Sequence, residues 1–221
     1  MADKRRNPAE TSPRMVSFVL ERNGSADGKQ PRRAAERRVE LAALFVLLLL
    51  AGALLRVGYR QYMRAAYPLA YSDYVEKYAK VYEFEPSLIY ALIRTESEFD
   101  PDAISSAHAM GLMQLTADTF QWAQSRSPET ESLPAEELFD PETNIRYGVM
   151  VLSLLREQFP EPATLLAAYN AGIGNVRKWL ADPACSDDGS TLKAIPFPET
   201  AAYVEKIPAA QEMYRELYRL Q

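Results

Sequence analysis

A single cysteine, a single histidine and nine glycines in 221 residues set the first limits. One cysteine cannot build a disulfide-stapled scaffold or a cysteine-rich zinc site. One histidine makes imidazole-based metal sites and conventional Ser-His-Asp catalysis poor fits. Nine glycines and 15 prolines exclude collagen-like and glycine-rich repeats. Cations are scarce in the body of the chain: residues 65–221 hold 12 Lys/Arg against 24 Asp/Glu, a balance of −12. Such a body does not suit nucleic acid, because phosphate neutralisation needs clustered Lys and Arg. Residues 1–64 have the opposite balance, 13 against 6, or +7. The remaining composition, 48% apolar and 25% charged, excludes a wholly disordered chain. The length suits one domain with extra segments, or two small ones, at about 150 residues per domain.

The basic part surrounds one long apolar run. Residues 41–55 (LAALFVLLLLAGALL) are 15 uncharged and almost wholly apolar positions. Alone they make a helix of about 22 Å, short of a ~30 Å hydrocarbon core. Extension to 39–59 gives 21 residues and a length of about 31 Å. Arg56 can then snorkel to the headgroups, and Tyr59 and Tyr62 suit the interface. The sequence therefore predicts a basic, flexible tail at 1–38, a single transmembrane anchor at 39–59 and a linker at 60–70. Lys29, Arg32, Arg33, Arg37 and Arg38 before the span outweigh Arg56, Arg60 and Arg64 after it. That bias places the N-terminus in the cytoplasm and the acidic body outside. The competing reading is a cleaved signal peptide. It fits less well, because about 38 residues precede the run and no clear A-x-A site follows. Cys185 is too distant from the span for a lipid anchor there.

From residue 71 onward apolar residues recur at helical spacing, and no alternating strand pattern of convincing length occurs. The body at 71–221 is predicted to be all-α. Tyr71, Tyr74, Val75, Tyr78, Val81 and Tyr82 make one stripe. A second helix is expected near Pro86, with Leu88, Ile89, Leu92 and Ile93. Thr116 reads as an N-cap, and Asp140-Pro141-Glu142 as a helix start. Asn170-Ala171-Gly172 reads as a helix stop, residues 183–190 as a loop, and Pro208 as a break in the last helix. The acidic run 129–137 reads as a solvated loop and short helix.

Steps of four from Leu92 and three from Ile93 both arrive at Glu96, so a carboxylate ends a core-facing stripe. Desolvation there would raise its pKa toward the ~6 that suits a general acid. On spacing alone, a surface glutamate at a frayed helix end fits better. Glu98, Asp100 and Asp102 nearby read as solvated or turn-capping.

The surrounding text is more specific. Glu96-Ser97-Glu98-Phe99-Asp100-Pro101-Asp102-Ala103-Ile104-Ser105 leads into Gly111-Leu112-Met113-Gln114. Ala168-Tyr169-Asn170-Ala171-Gly172 and Tyr203-Val204 follow in order. Over about residues 72–215 the chain resembles the soluble-lytic-transglycosylase family of peptidoglycan-cleaving enzymes, related in fold to goose-type lysozyme. The resemblance implies a lysozyme-like helical domain in which Glu96 is the one catalytic acid/base. It implies that Met113 and Gln114 line a sugar groove, with Tyr169 and Asn170 beside the reacting ring. Tyr203 would orient Glu96, and Ser105 would lie close to the centre. The family usually has glycine where His108 stands, and histidine tolerates a positive φ there.

The implied reaction cleaves the β-1,4 bond between N-acetylmuramic acid and N-acetylglucosamine and leaves a 1,6-anhydromuramyl end. The implied substrate is peptidoglycan glycan strands on the outer side of a bacterial membrane, with no metal or organic cofactor. Two alternatives stay open: a hydrolytic muramidase and a non-catalytic, membrane-anchored glycan-binding protein. Trp122 and Trp179 read as core, and Cys185 as a free thiol in a polar loop.

Overall fold

The computed structural model describes residues 30–128 and 132–220. Residues 1–29 of the expected tail, and 129–131 of the acidic run, lie outside the described residues. The described chain falls into two compact units that divide between Leu55 and Arg56.

In the first unit the described residues belong to α1 (Gln30–Ala66). The helix begins nine residues before the expected span, because Arg32, Arg33, Ala35, Glu36, Arg37 and Arg38 are all helix formers. Its apolar residues are exposed throughout, from Val39 at 69% to Leu55 at 75%. Over Ala35–Ala66 it is long and apolar enough to cross a membrane.

The second unit is helical, with two isolated β-bridges, Ile104 to Met110 and Met110 to Leu115. Its helices are α2 (Ser72–Val81), α3 (Pro86–Ser97), α4 (Ala117–Gln124), α5 (Pro141–Gln158), α6 (Pro162–Ala171), α7 (Ile173–Leu180) and α8 (Pro198–Tyr218). A 3-10 turn, Ala135–Phe139, precedes α5. The starts follow local chemistry. Thr116 accepts a 3.2 Å bond from the Thr119 amide, and Asp140 one of 2.8 Å from Thr143. Pro86, Pro141 and Pro162 occupy first-turn positions, where a missing N–H costs nothing. Glu161 caps α6 by accepting from the Ala163 and Thr164 amides.

α3 lies at the centre, with Ile89, Tyr90, Leu92 and Ile93 fully buried. α8 packs along it, and α6 packs on α8. α5 joins α2, α4 and α6, and buries Ile145, Val149 and Leu152. The expected break at Pro208 does not occur: α8 continues through it. Pro208 faces solvent, while Tyr203, Ile207, Ala210 and Tyr214 form the buried stripe that holds both halves. Burial of four such side chains, at roughly 1.5–3 kcal/mol for each large one, exceeds the ~3 kcal/mol proline penalty.

The expected linker at residues 60–70 is helical in its first part. Helix continues to Ala66, and the turn after it is pinned. Arg94 Nε donates 2.7 Å to the Ala66 carbonyl and its guanidinium lies 4.0 Å from the Tyr67 ring centroid. The Tyr214 and Tyr218 hydroxyls donate to the Pro68 and Tyr67 carbonyls at 3.2 and 2.7 Å. Cys185, expected in a polar loop, is buried within the core cluster. Its neighbours in the chain are polar, but its small apolar side chain turns inward.

Candidate active site

Glu96 stands in the last turn of α3, where the apolar stripe runs out. Ser97 anchors that turn to the next loop by donating 2.8 Å to the Leu112 carbonyl. The loop itself is strained. Among the described residues seven non-glycine positions have positive φ, and four of them lie between 98 and 114: Glu98, Phe99, His108 and Gln114. Backbone held in that region clusters where function demands a particular geometry. His108 has φ 58°, in the left-handed region that glycine adopts most readily and histidine tolerates. Ser105 closes the turn around it, accepting from the Ala109 amide at 3.1 Å through Oγ.

One buried amide holds this loop to the core. Asn144 of α5 donates through Nδ2 to the Met110 and Leu138 carbonyls at 2.9 and 2.7 Å, and accepts from the Met113 amide at 2.7 Å. No sequence motif singles out Asn144, because its partners are backbone groups and two of them lie 31 and 34 residues away in the chain.

A cleft of about 680 Å³ opens above the loop. Glu96, Ser105, Gln114, Tyr169, Asn170 and Tyr203 all line it. Met113 does not. It is fully buried and packs against Gly148, where an added Cβ would collide with its sulfur. An apolar side chain at that register gains more from the core than from the cleft. Its carbonyl still serves the site, accepting 2.8 Å from the Tyr169 hydroxyl.

Each lining side chain is partly committed, which fixes what it presents. Gln114 spends its amide nitrogen on the Ala103 and Gly111 carbonyls, at 3.1 and 2.9 Å, and presents its amide oxygen. Asn170 spends its oxygen on the Thr200 hydroxyl at 2.7 Å and presents its NH2. Tyr169 spends its hydroxyl on Met113 and presents its ring.

Tyr203, on α8, donates a 2.6 Å hydrogen bond to Oε1 of Glu96. Desolvation by burial raises the Glu96 pKa to about 7, well above the ordinary carboxylate range. The Tyr203 bond and the positive charge of Lys206 oppose that rise, and the negative charge of Glu199 adds to it. Burial first, and the Glu96 charge second, push the Tyr169 and Tyr203 hydroxyls well above their usual range, so both remain protonated donors. Glu98, Asp100 and Asp102 are exposed, and Asp100 accepts from the Asp102 amide at 3.0 Å. Among the described residues no three His, Cys, Asp or Glu side chains cluster as metal ligands.

Two charged lining residues, Glu199 and Lys206, receive no role from the motifs. They lie four before and three after Tyr203, so helical spacing from that tyrosine is the signal that finds them.

Solved structures resemble this fold. The 70 kDa soluble lytic transglycosylase SLT70 from Escherichia coli superposes with a TM-score of 0.61 at 33% identity, covering 70% of this chain and 25% of that one. A complex of the 70 kDa soluble lytic transglycosylase with bulgecin A gives a TM-score of 0.62 at 32% identity, covering 70% of this chain and 25% of that one. Lytic transglycosylase Slt from Pseudomonas aeruginosa, solved as an inactive glutamate-to-glutamine mutant, gives 0.59 at 33% over 70% and 25%. In sequence, the soluble lytic murein transglycosylase of Escherichia coli K12 is 35% identical over 160 residues, 70% of this chain. This chain spans about a quarter of that relative, 24%. Membrane-bound lytic murein transglycosylase C of Klebsiella pneumoniae is 33% identical over 166 residues, covering 66% of this chain and 46% of the relative. The model of the transglycosylase SLT domain matches residues 73–189, and the chain belongs to that family.

Proposed function

We propose that the chain is a peptidoglycan lytic transglycosylase, cleaving the β-1,4 bond between N-acetylmuramic acid and N-acetylglucosamine. The observation that carries this reading is Glu96: a carboxyl lifted to about 7 at the wall of a cleft, hydrogen-bonded to Tyr203. A carboxyl with that pKa is partly protonated at neutral pH and can give its proton to a glycosidic oxygen. The related enzymes' names support murein as the substrate.

Glycosidases usually need two carboxyls. A muramyl substrate can replace the second with its own 6-hydroxyl. Glu96 donates its proton to the leaving oxygen as the C1–O bond breaks. The 6-hydroxyl oxygen attacks C1, and the Glu96 carboxylate takes the hydroxyl proton. The products are a free N-acetylglucosamine 4-hydroxyl and a 1,6-anhydromuramyl end, with no water consumed and Glu96 protonated again. A nucleophile tethered to the reacting ring removes much of the entropic cost of attack. The Gln114 oxygen, the Asn170 NH2 and the Tyr169 ring supply an acceptor, a donor and an apolar face, the three groups a sugar needs. Ser105 closes the wall on the loop side.

In this reading α1 anchors the enzyme through residues 39–59 in a single pass, with the N-terminus cytoplasmic and residues 71–221 catalytic on the outer face of a bacterial membrane. Its length, apolar surface and flanking charges support that placement.

Glu199 favours one second reading. It is the other carboxyl in the wall of the cleft, and a hydrolytic muramidase would use it to activate water. Incubation of purified sacculi with wild type and Glu96→Gln tests the assignment. Release of muropeptides by wild type and loss of more than about 99% of it in a folded Glu96→Gln is expected, in line with the 10²–10⁴-fold worth of a general acid. Equal release by both would remove Glu96 from the chemistry.

A further inference from the structure

Among the described residues Lys206 is the only cation in the wall of the cleft. It follows Tyr203 by three positions on α8, so it shares a helix face with that tyrosine and stands about 4.5 Å further along. Tyr203 is the residue whose hydroxyl reaches Glu96. Both charged groups are otherwise uncommitted. Glu96 accepts from Tyr203 through Oε1, and its Oε2 has no hydrogen-bond partner among the described residues. Lys206 is exposed and makes no side-chain hydrogen bond or ion pair among the described residues. Glu199 stands seven positions before it, about 10 Å along the helix, and does not pair with it. The other groups that face Glu96 are neutral: Tyr203 from α8, Tyr169 from α6, and Ser105 and Gln114 from the loop, while α4 and α5 bring Thr119 and Val151 to the wall. The charge of Lys206 is felt at Glu96, where it pulls against the rise that burial imposes. Lys206 lies outside the motifs that mark the family resemblance.

The reaction leaves Glu96 as a carboxylate between giving its proton to the leaving oxygen and taking one from the 6-hydroxyl. A carboxylate withdrawn from water is costly unless a cation compensates it. Tyr203 supplies a hydrogen bond to that carboxylate but no charge. A lysine one turn away supplies the charge, and its long flexible stem lets the ammonium approach without occupying the place of the sugar.

We propose that Lys206 is the counter-ion of the Glu96 carboxylate during turnover and thereby sets the pH range over which the cleft cleaves. It acts through Glu96 and not on the sugar, so it is a positioning residue. The assignment rests on the transglycosylase reading of the cleft.

The test compares the full chain in non-ionic detergent as wild type, Lys206→Met and Lys206→Arg. Methionine keeps an unbranched apolar stem and removes the charge, and arginine keeps the charge. Two readouts are taken. The infrared carboxyl band that Glu96→Gln lacks follows the Glu96 proton without any substrate. The pH profile of kcat/KM on purified glycan strands gives the alkaline limb of cleavage. Lys206→Met is expected to move both to higher pH by about half to one pH unit, and Lys206→Arg to leave both near wild type. Raising NaCl from about 0.05 M to about 1 M should move the wild-type limb the same way and leave the Lys206→Met limb in place, because screening removes only a charge that is present. A Lys206→Met limb at the wild-type pH overturns the proposal, whether or not the band moves, and so does a shift that Lys206→Arg reproduces. A wild type whose carboxyl titrates as expected but which cleaves no strand overturns the transglycosylase reading, and the proposal with it.

Discussion

Tyr203 follows Glu96 by 107 residues, yet its hydroxyl donates a 2.6 Å hydrogen bond to the Glu96 carboxyl. The two meet because α8 packs along α3, and each side chain projects from the shared seam into the cleft. The bond favours the ionised form of Glu96 and fixes the direction of its carboxyl. Tyr203→Phe is therefore expected to raise the Glu96 pKa further and lower kcat about tenfold. In the pH profile of kcat/KM, the alkaline limb should move to higher pH. A Phe variant with the wild-type limb would show that the bond does not tune the acid.

The raised pKa also sets a pH dependence of stability. Glu96 in the folded chain holds its proton up to about 7, whereas an ordinary glutamate releases it near 4.5. Its contribution to stability is fully present below about 4.5 and is lost as pH rises through about 7. At pH 8 the buried carboxylate costs the fold on the order of 1–3 kcal/mol. Glu96→Gln should consequently melt higher than wild type at pH 8, with the gap closing toward pH 5. Thermal unfolding at the two pH values measures it, and a gap independent of pH would contradict the burial of the charge.

Asn144 makes three hydrogen bonds to backbone groups, two in the 110–113 loop and one at Leu138 of the 3-10 turn. Asn144→Ala leaves those groups buried and unpaired, at a cost of about 3 kcal/mol. The expected drop in Tm is about 6–12 °C for a domain of this size. Cleavage should fall more than stability alone explains at temperatures where the variant is still folded, because the same loop carries Gln114.

His108 holds a φ of 58° at a turn in the cleft wall. A β-branched residue pays more for that conformation than histidine does. His108→Val is expected to destabilise the chain by about 1–2 kcal/mol, and His108→Gly to leave it within about 1 kcal/mol of wild type. Denaturant midpoints at constant m would establish the order Gly ≥ His > Val.

Local signals made most of the helical layout legible. Thr116, Asp140 and the prolines at 86, 141 and 162 announce helix starts by chemistry that acts within one turn. Glu96 stood out because an acid ending an apolar stripe conflicts with burial. Pro208 misleads for the opposite reason: a tertiary seam along α3 outweighs a local penalty, and no local pattern reveals the seam. Met113 misleads in the same way. Its place in a motif suggests the cleft, but the space beside Gly148 decides where the side chain goes. Asn144 depends on contacts made across the fold, so its role is not readable from spacing along one helix, whereas Glu199 and Lys206 follow from Tyr203 by helical spacing once that tyrosine is placed in the cleft.

The most direct measurement is mass spectrometry of the fragments that the full chain releases from purified peptidoglycan. Muramyl ends lighter by one water are expected from wild type, and their loss from Glu96→Gln. Reducing muramyl ends in their place would contradict the single-acid mechanism and transfer the search for a water-activating base to Glu199.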